Sequence, residues 1–473
     1  MQSTDRLNRS PSPSPPEAWS PIRRLGLLAT RPLERFLHIE AASGILLLLA
    51  AAVALLWANS SWQHGYHELF RTPLGVRIGG FSFERSLEWV VNDGLMVIFF
   101  FVVGLEIRRE IHQGELSEWR RAALPAAAAL GGMLAPAGIY LLIAGAPKTH
   151  SGWGVPMATD IAFALGVLTL LGQRVPPALR VLLLALAVID DLGAILVIAL
   201  FYSSGVQWVG LAVAALGLLS ILLLQWLGVR NKLAYIAPGL VAWGGTYAAG
   251  IHPTIAGVAI GLMTPVRAWY GAEGFVRGLQ EKIEPLAAER DVSAVSPGQL
   301  SEVLRDVNVA HREARSPAES LIETLHPWVA FIIMPLFALA NAGVTLSGVR
   351  FGEHETAVLL GAAAGLIVGK PVGILIACAL VLKLGLATLP RGLGKAHLVV
   401  LGMVAGIGFT MALFVAQLAF DDAGLLGAAK LGILCASGLA GILGLAVGAV
   451  ALARKHAPGA APTADDAECS TEA

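Results

Sequence analysis

Residues 178–202 read ALRVLLLALAVIDDLGAILVIALFY, an apolar run that carries two adjacent aspartates, Asp190 and Asp191, near its middle. About twenty apolar residues are enough to span the hydrocarbon core of a bilayer. A charged side chain at the centre of such a helix costs about 2.5–3.5 kcal/mol on insertion scales, so it usually marks an ion or substrate path. The stretch therefore predicts a membrane helix with an acidic functional site.

The composition of the whole chain is also typical of a membrane protein. Of its 473 residues 56% are hydrophobic and only 14% are charged, and the mean hydropathy is +0.70. A soluble domain carries about 25% charged residues. The formal net charge is zero, which gives no indication of nucleic-acid binding. Membrane lipid is therefore the expected surrounding of the chain. The three cysteines do not have the spacing of a disulfide framework or a metal site.

The apolar runs predict an all-α polytopic membrane protein with twelve membrane-spanning helices. The predicted segments are roughly 37–57, 87–105, 122–143, 153–171, 178–202, 206–227, 233–249, 253–265, 327–342, 356–382, 397–419 and 425–452. The eighth and ninth are short, as is typical of discontinuous helices. With both termini in the cytoplasm, 26 of the 33 Lys and Arg residues fall on the cytoplasmic side and 5 outside. This asymmetry follows the positive-inside rule and predicts a multi-pass protein of the bacterial inner membrane.

The regions outside the helices predict a simple organisation. Residues 1–35 and 454–473 are expected to be disordered cytoplasmic tails flanking a transporter domain at 36–453. An external loop at 58–86 alternates apolar and polar residues around Gly79-Gly80, which predicts a short β-hairpin over 76–83. In the long cytoplasmic loop at 266–326, Ser296-Pro297 and the capping-box sequence Ser316-Pro317-Ala318-Glu319 predict short surface helices.

Further ionisable residues lie in other predicted segments. Asp160 is in segment four, Lys370 is at the middle of segment ten, and Asp93, an accessory candidate, is in segment two. Carboxylate oxygens are hard ligands suited to a cation such as Na⁺, and the same oxygens can hold a proton instead. Because Asp190 and Asp191 point about 100° apart on a helix, one can face the cation while the other pairs with Lys370. One pocket that accepts either ion predicts exchange by competition, with no cofactor.

Residues that disrupt helices lie beside these charges. Pro156 precedes Thr159-Asp160 in segment four, and segment eleven carries Gly402, Gly406 and Gly408. Unwound backbone is tolerated at membrane depth where it lines a cavity or is buried in protein. The alternative is that the glycines serve only close helix packing.

Eight short stretches, in order along the chain, resemble the bacterial NhaA-type sodium/proton antiporters over about residues 33–453. They are NDGLM at 92–96, GLEIRRE at 104–110, ATDIAFALG at 158–166, DD at 190–191, GIHPT at 250–254, HPW at 326–328, GKP at 369–371 and GIGFT at 406–410.

The resemblance implies inverted repeats of twelve helices, with the fourth and eleventh discontinuous and crossing at mid-membrane. It implies that Asp191 binds the transported cation, that Asp190 pairs with Lys370, and that Thr159 and Asp160 neutralise half-helix ends. It implies electrogenic export of Na⁺ and Li⁺ against protons, and a homodimer formed through the external hairpin. The hairpin could instead be a solvated loop. The residues implied in pH sensing are Glu106, Arg109, Glu110, His252, Glu323 and His326.

The sequence departs from the NhaA-type pattern in two places, and two other functions remain as alternatives. The loop between segments eight and nine is longer than in the shortest members, and Thr324 replaces a histidine found in some of them, which leaves the pH set-point open. An intramembrane aspartyl protease would need Asp160 to partner Asp191, although the chain has no Gly-x-Gly-Asp sequence and Lys370 would disturb a shared proton. A cation channel or a symporter for organic solutes is the other alternative.

Overall fold

The computed structural model describes residues 40–78, 81–203, 205–268, 314–345 and 352–453, with isolated positions between 271 and 307. The two predicted tails, the Gly79-Gly80 turn and most of the loop at 281–315 lie outside the described residues. Of the helix predicted after Ser296-Pro297, only isolated positions are described.

The described chain is mainly helical, and its helices are numbered α1 to α14 in chain order. They are α1 Glu40–Ala58, α2 Gln63–Arg71, α3 Leu87–Gln113, α4 Trp119–Ala144, α5 Ile161–Leu170, α6 Pro177–Phe201, α7 Trp208–Trp226, α8 Ile236–Ala248, α9 Thr254–Met263, α10 Pro317–Asn341, α11 Glu353–Lys383, α12 Lys395–Ala405, α13 Phe409–Ala419 and α14 Ala423–Ala453. Within the described residues, eight helices are long and apolar enough to cross a membrane, or ten if two bent pairs each count as one span. The chain is thus a multi-pass membrane protein.

Each of the twelve predicted segments overlaps a helix, but the number of spans stays a prediction. The helices α8 and α9 have only 13 and 10 residues and fall short of the span criterion. The bent pairs are α1 with α2, at 115°, and α12 with α13, at 45°.

The ninth segment is longer than the sequence predicted. The Ser316 hydroxyl accepts a hydrogen bond from the Glu319 N–H, and the Glu319 carboxylate accepts one from the Ser316 N–H, so the capping box is present. It starts the 25-residue helix α10 rather than a separate surface helix. The expectation of a short segment at 327–342 was therefore wrong, because Pro327 does not end this helix and a π-helical turn at Val329–Ile333 continues it.

The loop at 58–86 contains the predicted two-stranded sheet. Strand β1, Pro73–Ile78, pairs antiparallel with β2, Phe81–Ser86, from Pro73 opposite Ser86 to Ile78 opposite Phe81. The strands are longer than the 76–83 core that the alternation marked. Ser86 then caps α3 by accepting a hydrogen bond from the Trp89 N–H, so the hairpin leads directly into a membrane helix.

The helices pack in two groups. The first bundle contains α3, α7, α8, α9 and α10; the second contains α4, α5, α6, α11, α12, α13 and α14; and α1 packs against both α5 and α10. Close approach in the second bundle depends on glycine. A Cβ added at Gly131 of α4 or at Gly373 of α11 would collide with the carbonyl oxygen of the other glycine. This contact holds α11, and with it Lys370, against α4.

Candidate ion-binding site

Two interruptions of helical structure lie next to each other in the second bundle. A 3₁₀ segment, His150–Met157, is followed by three non-helical residues before α5 begins at Ile161. Likewise, α12 ends at Ala405 and α13 begins at Phe409. The two breaks touch, because the Asp160 N–H donates a hydrogen bond of 2.7 Å to the Ile407 carbonyl.

The adjacent aspartates lie in the middle of α6, next to these breaks, and each is 1% exposed. The Asp190 Oδ2 atom accepts hydrogen bonds from the Thr159 hydroxyl at 2.6 Å and from the Lys370 Nζ at 2.7 Å. Lys370 is fully buried and also donates to the Met157 carbonyl. Asp190 and Lys370 therefore form a buried ion pair that Thr159 and Met157 complete.

Asp191 has a different environment. Among the described residues, neither of its carboxyl oxygens has a hydrogen-bond partner, and the Oδ1 atom of Asp190 has none either. Within the described part of the chain, the carboxyls of Asp190, Glu106 and Asp160 repel a negative charge on Asp191, and the Lys370 ammonium attracts it. An unpaired charge is very costly to bury. A proton or a cation bound to Asp191 would remove this cost.

Asp160 is fully occupied by hydrogen bonds. It is the N-cap of α5, where its Oδ1 atom accepts from the Phe163 N–H at 3.0 Å. Its Oδ2 atom accepts from the Thr410 N–H at 3.2 Å and from the Thr410 hydroxyl. Since helix N-termini carry partial positive charge, this single carboxyl compensates the ends of both α5 and α13. The Phe409 N–H, at the first position of α13, donates a hydrogen bond of 3.0 Å to the Ser437 hydroxyl of α14.

Asp93, the accessory candidate, lies apart from this cluster in the first bundle. Its Oδ1 atom is 3.5 Å from the Nε2 atom of His252, whose Nδ1 atom is 2.8 Å from the Thr254 hydroxyl. Burial lowers the pKa of His252 to about 4. Asp93 and His252 therefore form a partly buried polar pair that is separate from the Asp190–Asp191 cluster.

The other five pH-sensing candidates are divided between two helices. Glu106 interacts electrostatically with Arg109 and Glu110, three and four residues later on α3. The charge of Glu106 also reaches Asp191. Glu323 and His326 lie on the part of α10 that packs against α3, and Glu323 forms an ion pair with Arg315.

Several contacts were not assigned from the sequence. Thr410 belongs to the GIGFT stretch, but the sequence did not predict its hydrogen bonds to Asp160. The contacts of the Met157 carbonyl and the Ser437 hydroxyl were not predicted either. The one local signal was the position of Thr410, a polar residue two places after the last glycine of the predicted break. The structure also has two π-helical turns near charged residues. The turn at Val90–Leu95 includes Asp93, and the turn at Gly365–Gly369 directly precedes Lys370. Such turns are frequent at functional sites.

Comparison with known proteins decides the family. A family model described as Na⁺/H⁺ antiporter 1 matches residues 34–447. The chain belongs to this family. The Na⁺/H⁺ antiporter NhaA 2 of Myxococcus xanthus is 66% identical over 457 residues, which cover 97% of each chain. The NhaA 2 of Sorangium cellulosum is 55% identical over 97% of this chain and 98% of that one. The NhaA of Bordetella petrii is 50% identical over 88% of this chain and 90% of that one.

These matches confirm the resemblance drawn from the eight sequence stretches. The family consists of antiporters, so the chain is a transporter and not an enzyme, and the protease reading is wrong. The bonding of Asp160 agrees with this, because a carboxyl that accepts three hydrogen bonds is poorly placed to share a proton with Asp191. The family transports ions as its substrates.

Proposed function

We propose that this protein exports Na⁺, and also Li⁺, in exchange for protons that enter the cell down their gradient. The observation that carries the proposal is the state of Asp191, whose buried carboxyl oxygens have no hydrogen-bond partner among the described residues. Family membership supports sodium/proton exchange as the activity. The discontinuous fourth and eleventh helices of the proposed twelve would cross where the two breaks touch.

Competition at Asp191 explains how the two fluxes are coupled. The carboxyl can hold a proton or contribute its oxygens to Na⁺, and it cannot do both fully. The Asp190 Oδ1 atom is a third carboxyl oxygen without a hydrogen-bond partner among the described residues, after the two of Asp191. Sodium binding from the cytoplasm therefore requires release of the proton on Asp191. Protonation from the outside then displaces the sodium ion.

The Asp190–Lys370 pair provides a second proton and makes the exchange electrogenic. When Na⁺ draws Asp190 towards it, the hydrogen bond to the Lys370 Nζ weakens. A buried ammonium without its partner is costly, so Lys370 would release a proton. Two protons would then cross for each sodium ion.

We assign pH regulation to the cytoplasmic mouth, at Glu106, Arg109, Glu110, Glu323 and His326, with His252 as a further candidate. The interaction of Glu106 with Asp191 supports a connection between the mouth and the ion site. Replacing Glu323 by Gln should shift the pH dependence of exchange more than its maximal rate. Superimposable profiles in everted vesicles would remove Glu323 from the sensor.

The location and assembly follow the same proposal. The protein would lie in the bacterial inner membrane with both termini in the cytoplasm, and the hairpin of β1 and β2 would join two copies. A two-stranded sheet has exposed edges that can pair with another chain. Deleting residues 74–84 should give monomers that still exchange ions, whereas an unchanged dimer on crosslinking would refute this role.

The exchange itself is tested in everted membrane vesicles with an imposed proton gradient. Added Na⁺ should dissipate the gradient in wild-type vesicles, and Asp191→Asn should abolish this response. Asp421→Asn, at an exposed aspartate outside the site, is the matched control and should respond like wild type. Passive sodium conductance or solute uptake without proton movement would favour a channel or a symporter.

A further inference from the structure

Three neutral amide side chains meet where the two bundles touch on the hairpin side of the molecule. Asn92 lies in the π-helical turn of α3, six residues after β2 ends, and Asn341 is the last residue of α10. Gln417 lies near the end of α13. The Tyr66 hydroxyl of α2 donates to the Leu339 carbonyl at 2.7 Å, which also places the end of α10 beside the segment that leads into the hairpin.

The amide bonds cross the boundary between the bundles. Within the first bundle, the Asn341 Nδ2 atom donates to the Asn92 Oδ1 at 2.8 Å and to the Phe337 carbonyl at 2.9 Å. The Asn92 Nδ2 atom donates to the Asn341 Oδ1 at 3.3 Å. From the second bundle, the Gln417 Nε2 atom donates to the same Asn341 Oδ1. Asn341 is fully buried, so the cluster closes the boundary at this point.

Phe414 strengthens the closure one helical turn before Gln417. It is 1% exposed, and its ring centroid lies 5.3 Å from Phe100 of α3, 6.1 Å from Phe337 of α10 and 5.2 Å from His252. Phe100 and Phe337 belong to the first bundle, and His252 lies in the turn that precedes α9 of the same bundle. Phe414 thus projects from the second bundle into the first.

The closure lies directly beyond the ion site. Thr410, which donates to Asp160, is four residues before Phe414 and seven before Gln417 on the same helix. At 1.5 Å per residue these side chains begin about 6 Å and about 10 Å further towards the hairpin side. A path from Asp191 between the bundles to this side would run past both side chains.

We infer that Phe414 and the Gln417–Asn341–Asn92 amides form an exit latch, which closes the hairpin side of the ion path and opens once in every exchange cycle. Neutral amide bonds are suited to repeated opening, because their exchange for water changes the free energy only modestly. The Asn92–Asn341 bonds lie within one bundle and stay intact, while the Gln417–Asn341 bond breaks. This inference rests on the proposed exchange.

A reversible crosslink tests the latch in the full-length protein. In a background with Cys378, Cys435 and Cys469 replaced by Ser, Gln417→Cys is combined with Asn341→Cys and treated with a short bifunctional methanethiosulfonate. The control pair, Asn92→Cys with Asn341→Cys, joins two residues of the first bundle at the same cluster. Sodium-dependent proton flux is measured before the reagent, after it, and after reduction with dithiothreitol.

The latch predicts loss of flux for the Gln417–Asn341 crosslink, recovery on reduction, and unchanged flux for the control crosslink. Flux that continues through the crosslinked Gln417–Asn341 pair, or equal loss in both pairs, would overturn it. If this double variant does not fold, Gln417→Cys with Asn92→Cys spans the same boundary and replaces it. Absence of sodium-dependent flux in the untreated wild type would instead reject the exchange on which the latch depends.

Discussion

Asp160 and Asp191 are two buried carboxyls of one cluster with opposite surroundings. Asp160 accepts three hydrogen bonds, two from backbone N–H groups at helix starts and one from the Thr410 hydroxyl. Asp191 accepts none from the described residues and lies among other acidic groups. A carboxyl with all its bonds made holds a structure together, whereas one with none can exchange what it binds. The proposed exchange therefore assigns a supporting role to Asp160 and ion transport to Asp191.

The largest effect on stability should come from breaking the pair next to Asp191. Asp190→Asn leaves the Lys370 ammonium buried without a counter-ion, so unfolding in detergent should require about 3–5 kcal/mol less free energy. Replacing Lys370 by Met as well removes the orphan charge, and the double variant should regain most of the loss. Thermal unfolding of wild type, both single variants and the double variant forms a complete cycle. A double variant less stable than either single one would contradict the buried pair.

A smaller effect is expected from Asp160→Asn. The amide oxygen can still accept from the Phe163 N–H, and the Thr410 hydroxyl can turn to accept from the new amide nitrogen. The Thr410 N–H then has no acceptor, and an unsatisfied buried donor costs about 1–3 kcal/mol. Removal of one negative charge should also weaken sodium binding. Transport should continue, with a higher apparent KM for Na⁺ in vesicles. Complete loss of exchange in a well-folded variant would mean that Asp160 carries an ion itself.

The smallest effect should come from Thr410→Val. This change keeps the shape and the backbone bond to Asp160 and removes only the hydroxyl donor, so we expect a loss of about 1 kcal/mol in the free energy of unfolding. Thr410→Ser keeps the hydroxyl and serves as the control. Equal stabilities of the Val and Ser variants, measured by thermal unfolding, would show that the hydroxyl bond does not contribute.

The sequence predicts well what depends on local pattern. The long apolar run of α6 draws attention to its two aspartates, Asp190 and Asp191. Alternation of apolar and polar residues predicts the two-stranded sheet, and the Ser316–Glu319 capping box predicts a helix start, which is the start of α10. Pro156 and the glycines at 406 and 408 lie beside the two interruptions of helical structure.

What the sequence does not predict depends on contacts between distant residues. Thr410 and Asp160 are 250 positions apart, and Gln417 and Asn341 are 76 apart, so no local pattern connects them. The π-helical turns are equally hidden, because one extra residue in a turn leaves an apolar run looking continuous. The ninth segment looked short for a different reason, because the polar first turns of α10 resemble loop sequence.

Sodium binding to Asp191→Asn, compared with Asp160→Asn, tests the central claim most directly. Isothermal titration calorimetry of the purified variants at alkaline pH measures binding without requiring transport. The contrast between the two carboxyls predicts no detectable sodium binding to Asp191→Asn and weakened but measurable binding to Asp160→Asn. Wild-type affinity in Asp191→Asn would contradict it and place the cation site elsewhere.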